Sequence, residues 1–137
     1  MTRGQIRYSQ LTLDTGGILV DLMLRRWDTD IWGLVVNGAC KHADMAHFKA
    51  HLPDAVNMTY IDDHALIAIQ GPQARQALSR IIPEAQDLLF MRSLKTSWKG
   101  CDITLSCCGY TGEDGYEVSI ANDQARDFAE ALTNLDE

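Results

Sequence analysis

The sequence predicts an α+β protein in which helices cover antiparallel sheets. Three observations carry that reading. Strand-like segments come in pairs between helical ones, apolar spacing switches to a helical period in separated stretches, and 46% hydrophobic content over 137 residues is enough to bury a core.

Taken in order, Ile6 to Leu13 and Ile18 to Trp27 read as two strands joined by Asp14-Thr15-Gly16-Gly17, a strong hairpin turn. A third strand is expected at Ile31 to Val36. From Ala39 to Leu52 the apolar spacing becomes helical, with Met45, Phe48 and Leu52 as the core face and Pro53 as the stop. Val56 to Ile61 and Ala65 to Gln70 are short strand candidates around the turn Asp62-Asp63-His64. Gly71-Pro72 then opens a helix from Gln73 to Ile82, since proline suits a first helical position. Glu84 to Phe90 reads as a further short helix, followed by strands at Arg92 to Trp98, Asp102 to Cys107 and Tyr116 to Ile120. Asn122 is a candidate cap for a last helix whose Ala125, Phe128, Ala129 and Leu132 share a face. The whole chain reads as one domain, with residues 62–72 as the one candidate point of subdivision.

Composition narrows the function classes. A net charge of −7 and a pI near 4.9 disfavour non-specific binding to nucleic acid or to an anionic membrane surface. No apolar run approaches the roughly 20 residues of a membrane span, and Met1-Thr2-Arg3-Gly4-Gln5 lacks the apolar core of a signal peptide. The expectation is a cytoplasmic protein. Cys40, Cys101, Cys107 and Cys108 lack metal-type spacing and read as free, buried thiols. Asp44, His47 and His51 share one helical stripe, but without a convincing third ligand they read as boundary residues flanking a core face, and no metal is expected.

Two segments stand out chemically. Gly109-Tyr110-Thr111-Gly112-Glu113-Asp114-Gly115-Tyr116-Glu117 packs three glycines, two tyrosines and three carboxylates into nine residues, which describes a shaped turn. No Gly-Lys-Ser or Gly-Lys-Thr follows, so it is not a phosphate-binding P-loop. Upstream, Asp21 interrupts the apolar run Gly16-Gly17-Ile18-Leu19-Val20-Asp21-Leu22-Met23-Leu24. Strand alternation puts it on a face with Leu19 and Met23, opposite Val20. A carboxylate placed there either takes hydrogen bonds from nearby backbone or serves a site that needs a poised base.

With both segments in view, the chain resembles the aminomethyltransferase of the glycine cleavage system, the folate-dependent T-protein. The resemblance runs through Arg7-Tyr8-Ser9, Gly16 to Asp21, Val35-Val36-Asn37, Asp44, Ala65 to Pro72, and Gly109 to Glu117. It implies a partial T-protein-like folate-binding fold without the family's C-terminal β-barrel. It also implies transfer of an aminomethyl group from a lipoylated carrier, the H-protein, to tetrahydrofolate with release of ammonia. Asp21 matches the family's catalytic carboxylate, Glu117 the acid that hydrogen-bonds the pterin, and Tyr8, Val35 and Tyr110 positions lining the folate pocket. Asn37 reads as a turn or cap residue, and Glu113 and Asp114 as turn residues.

Two positions depart from the family. Val20 stands where the first of two adjacent aspartates is usual, and Gly33 where some relatives carry a bulky residue, so a thinner pocket wall is expected there. Family sequences extend beyond both ends of this one. The expectation is therefore reduced turnover, with a complementary chain or self-association covering exposed surface. The competing readings are a non-catalytic folate-binding or assembly module, and the folate domain of a sarcosine or dimethylglycine dehydrogenase or related demethylase.

Overall fold

The computed structural model describes residues 1–135, and the chain divides into two compact units between Tyr60 and Ile61. The first unit holds a three-stranded antiparallel sheet, β1 (Ile6–Thr12), β2 (Ile18–Arg26) and β3 (Trp32–Val36), in the order β1-β2-β3. Its register pairs Tyr8 with Met23 and Met23 with Val35, so these three form one row across the sheet. Gln10 pairs with Asp21 in the next row. Directly paired residues share a face, so Tyr8, Gln10, Asp21, Met23 and Val35 project from the same side. Ile6, Val20, Leu22 and Met23 are buried.

Helix α1 (Lys41–His51) follows and ends where Leu52 turns extended ahead of Pro53. It does not bury the face that the apolar spacing indicates. Asp44 is only 2% exposed, whereas Met45 and Phe48 are half-buried. The His47 and His51 rings stack with centroids 4.2 Å apart, and His51 Nδ1 lies 2.8 Å from the His47 carbonyl. Among the described residues no group of three or more potential metal ligands occurs. The expected strand at Val56 to Ile61 does not form, and among the described residues no strand pairs with this segment to complete its backbone hydrogen bonds.

The second unit is a four-stranded antiparallel sheet in the order β4-β7-β6-β5, formed by β4 (His64–Gln70), β5 (Arg92–Trp98), β6 (Cys101–Cys107) and β7 (Gly115–Ala121). One face is covered by α2 (Ala74–Ser79), a 3-10 turn at Pro83–Ala85 and α3 (Asn122–Thr133). Central β7 alternates cleanly, sending Tyr116, Val118 and Ile120 into the core against Leu105 of β6, Leu78 of α2 and Phe128 of α3. The Phe128 ring meets Trp98 edge to face at 5.1 Å. The buried Tyr116 hydroxyl donates to the Ala85 carbonyl at 2.8 Å, and burial pushes its pKa up to about 12.

Two expected features of this unit are corrected. Glu84 to Phe90 is not a helix beyond the single 3-10 turn, since Leu89 and Phe90 are exposed and Met91 adopts a positive φ of 59° that ends any helical run. Asn122 does not cap α3, whose N-cap is Ala121. Its side-chain amide instead donates to the Asp62 carbonyl at 3.0 Å and ties the helix start to the turn before β4. Among the described residues no helix is long and apolar enough to cross a membrane.

Candidate functional site

In the first unit, the row of side chains on one sheet face ends in a polar cluster centred on Asp21. The Tyr8 hydroxyl, reaching diagonally from β1, donates to Asp21 Oδ2 at 2.5 Å. Asn37, one residue beyond β3, donates its amide to Asp21 Oδ1 at 2.8 Å and also to the Asp21 carbonyl at 3.2 Å. Each carboxylate oxygen therefore has its own side-chain donor. First the Tyr8 hydroxyl and then the Asn37 amide hold the Asp21 carboxyl below its ordinary range. At neutral pH the group is an anion locked in orientation, the opposite of a base poised near neutrality. The carboxylate is hydrogen-bonded, but the expected backbone donors are replaced by the side chains of Tyr8 and Asn37, which strand register brings within reach. Tyr8 itself is half-exposed, so its ring stands as an open aromatic surface beside the anion.

A Tyr8→Phe substitution removes the leading cause of that depression. The Asp21 titration midpoint, followed by carboxyl-carbon NMR, should rise toward the ordinary carboxylate value, and an unchanged midpoint would contradict the assignment. The sign for stability follows. A depressed folded-state pKa gives stability that is present above the unfolded pKa and is lost as pH falls through the folded one.

Val35 lies half-buried beside Met23 on the face that carries Asp21. Gly33, on the same side of β3, does not thin the wall. A Cβ there would lie 2.7 Å from Trp27 Cζ2 and 3.0 Å from Arg25 Cγ, so the Trp27 indole already fills the space a side chain would take. Val20 is buried on the opposite face and pairs with Leu11, which leaves the two donors to Asp21 in place.

Tyr110 and Glu117 belong to the second unit, where the glycine-rich motif divides in two. Residues 108–114 form the loop between β6 and β7, which takes in the motif from Gly109 to Asp114, and Gly115 to Glu117 are already β7. Tyr110 is 72% exposed on the loop. Glu117 faces away from the buried Tyr116 side of β7, in a row with Ala68 of β4 and Ser106 of β6. Beside the loop opens a cleft of about 460 Å³ lined by Pro72, Phe90, Gly109, Gly112, Glu113 and Asp114.

Asp114 is more than a turn residue, because it accepts from Arg75 Nε at 3.0 Å. Arg75 Nη1 in turn donates to the carbonyls of Ala85, Gln86 and Leu88, and its guanidinium lies 5.5 Å from the Tyr116 ring centroid. The loop is thus moored to the segment that follows α2. Cys107, under the same guanidinium, has its thiol pushed up by burial, which suits packing and not nucleophilic attack.

All 137 residues match the family model described as the GCVT N-terminal domain. The chain belongs to that family. It is 38% identical over 128 residues to a Schizosaccharomyces pombe protein described as "Probable aminomethyltransferase, mitochondrial", a match covering 90% of this chain and 33% of the relative. It also superposes on the crystal structure of glycine cleavage system aminomethyltransferase T from Bartonella henselae with a TM-score of 0.86 and 33% identity, over 98% of this chain and 36% of that one. The chain spans about a third of the length of each. Two antiparallel sheets with helices are what this T-protein resemblance implies, and they are what the GCVT domain has.

Within the GCVT domain, sequence reading missed Asn37, Arg75 and Gln70. Asn37 follows a strand and looks like any turn residue until the β2–β3 pairing, which runs to Leu22 and Val36, brings its amide to Asp21. Arg75 and Gln70 face their partners only after the β6–β7 loop folds back on β4 and α2, and no local spacing encodes that.

Proposed function

We propose that this GCVT domain forms part of the tetrahydrofolate site of a glycine cleavage aminomethyltransferase. The reaction takes the aminomethyl group from the sulfur of a dihydrolipoyl carrier, the H-protein. Tetrahydrofolate gives up two N–H protons and gains the methylene carbon, and free thiol and ammonia are released. The observation that carries the reading is the Asp21 carboxylate, held as an anion by Tyr8 and Asn37 at the exposed end of a sheet face.

A reduced pterin presents ring N–H donors and a flat face. Each unit by itself offers groups that fit it: the first has the Asp21 acceptor beside the half-exposed Tyr8 ring and the apolar Val35, and the second has the Glu117 acceptor and the exposed Tyr110 ring. With its pKa depressed, Asp21 works as a fixed acceptor and counter-charge. It holds the folate N–H and stabilises the positive charge that grows on nitrogen as the new N–C bond forms. Glu117 accepts from the pterin ring donors, and the family's lipoylated H-protein is the proposed partner. The proposed location is the cytoplasm, in contrast to the Schizosaccharomyces pombe relative described as mitochondrial.

The test is a turnover assay with aminomethyl-loaded lipoyl carrier and tetrahydrofolate, reading methylene-tetrahydrofolate and ammonia together. Stoichiometric formation of both supports the reading. Folate binding without product identifies a non-catalytic module, and 5-methyl-tetrahydrofolate formed by transfer of a methyl group from a methylated substrate, in place of methylene-tetrahydrofolate from the loaded carrier, identifies a demethylase-type folate domain.

A further inference from the structure

Gln70 ends β4 directly opposite Gly115, the first residue of β7. Its side chain projects from the face that carries Ala68 and Glu117, so Gln70 and Glu117 are diagonal neighbours across the β4–β7 pair. Gln70 Nε2 donates to two carbonyls, that of Cys108 at 3.1 Å on the way out of β6 and that of Tyr116 at 3.2 Å on the way into β7. One amide thereby grips both ends of the loop that holds Tyr110. Backbone bonds from Cys108 N to the Gly115 carbonyl and from Gly71 N to the Asp114 carbonyl, each 3.0 Å, complete the neck.

The orientation of this amide is dictated by its partners, because two carbonyls need a donor and repel an oxygen. Oε1 therefore points the other way, buried and without a hydrogen-bond partner among the described residues. It lies against Gly109 and Gly115, where a Cβ would stand 2.2 Å and 1.7 Å from it. Neither glycine has a positive φ, so close approach of the amide, and not backbone strain, is what requires glycine at both positions. A buried, half-satisfied amide costs stability, and here it sits beneath the most ligand-like loop of the second unit.

We propose that Gln70 is a positioning residue for the tetrahydrofolate site, its amide setting the neck of the Gly109 to Gly115 loop and so the places of Tyr110 and Glu117. The proposal rests on the folate reading above, and on the general rule that binding groups must be held in place before the ligand arrives. Gln70 touches no reacting atom in this role.

The test combines amide hydrogen exchange across the loop with tetrahydrofolate titration. Gln70→Leu keeps the bulk and removes the donors. The loop amides should exchange about tenfold faster or more, and tetrahydrofolate affinity should fall by about ten- to a hundredfold, while the thermal midpoint moves only slightly. Gly109→Ala should do the same by pushing the amide away, and should add nothing in a Gln70→Ala background, where the obstruction is gone.

Unchanged exchange in Gln70→Leu, or additive effects in the double variant, overturns the clamp. Faster exchange with unchanged affinity overturns the positioning role. If the wild-type protein binds no tetrahydrofolate, the folate reading and the positioning role fall together, and exchange with the double variant still decides the clamp.

Discussion

Replacing Asp21 by asparagine is expected to lower tetrahydrofolate-dependent aminomethyl transfer by about 10²–10³-fold, the usual cost of deleting one oriented group that stabilises developing charge. The substitution keeps the shape and removes only the negative charge. Tyr8 and Asn37 stay in reach, since the Tyr8 hydroxyl can turn to accept from the new amide and Asn37 can still donate to its oxygen. The Asp21 cluster is open to solvent on one side, so thermal stability should hardly change. The check is steady-state turnover with loaded carrier, beside a melting curve of the same preparation. The loss should fall on kcat more than on KM, because the growing positive charge exists only in the transition state. A variant with wild-type kcat would remove Asp21 from the chemistry.

The largest stability effect is expected at Phe128. Its ring is fully buried, packs edge to face on Trp98 and joins α3 to the core face of β7. Phe128→Ala should cost about 3–5 kcal/mol from lost burial and the cavity left behind. That is a large share of the roughly 5–15 kcal/mol by which domains are stable, so the second unit should unfold at far lower denaturant. Urea unfolding followed by tryptophan emission measures it. A loss below about 1 kcal/mol would mean that α3 is not held by this contact.

How much of this was legible in the sequence varies by element for physical reasons. Strand β7 was readable because Tyr116, Val118 and Ile120 alternate with polar residues, and a half-buried strand imposes that period on its own. The β1–β2 hairpin was readable from its turn chemistry. Helix α1 was located correctly but its buried side was not, because amphipathic spacing assumes that the buried face is the apolar one and here Asp44 is buried instead. Val56 to Ile61 has strand composition without a partner strand, which no local property reveals.

The site shows the same division. Asp21 was conspicuous because a carboxylate inside an apolar strand demands compensation, and the family motif made Tyr8, Val35, Tyr110 and Glu117 expectations. What supplies the compensation was hidden. Asn37 is 16 residues from Asp21 and Tyr8 is 13, and only strand register brings them to it. The Trp27 indole over Gly33 and the Gln70 amide over Gly109 and Gly115 are likewise contacts between segments. Each glycine reads as a turn or a gap until the side chain that fills the space is seen.

The central claim is that this domain takes part in holding tetrahydrofolate, with Glu117 of the second unit as an acceptor for the pterin donors, and calorimetric titration with tetrahydrofolate tests it most directly. The wild-type protein should give a saturable heat, and Glu117→Gln, which removes an acceptor for the ring donors, should weaken binding by about ten- to a hundredfold, in line with a charge-assisted hydrogen bond worth about 1.5–3 kcal/mol. No saturable heat from the wild-type protein, or the same affinity in Glu117→Gln, would contradict it.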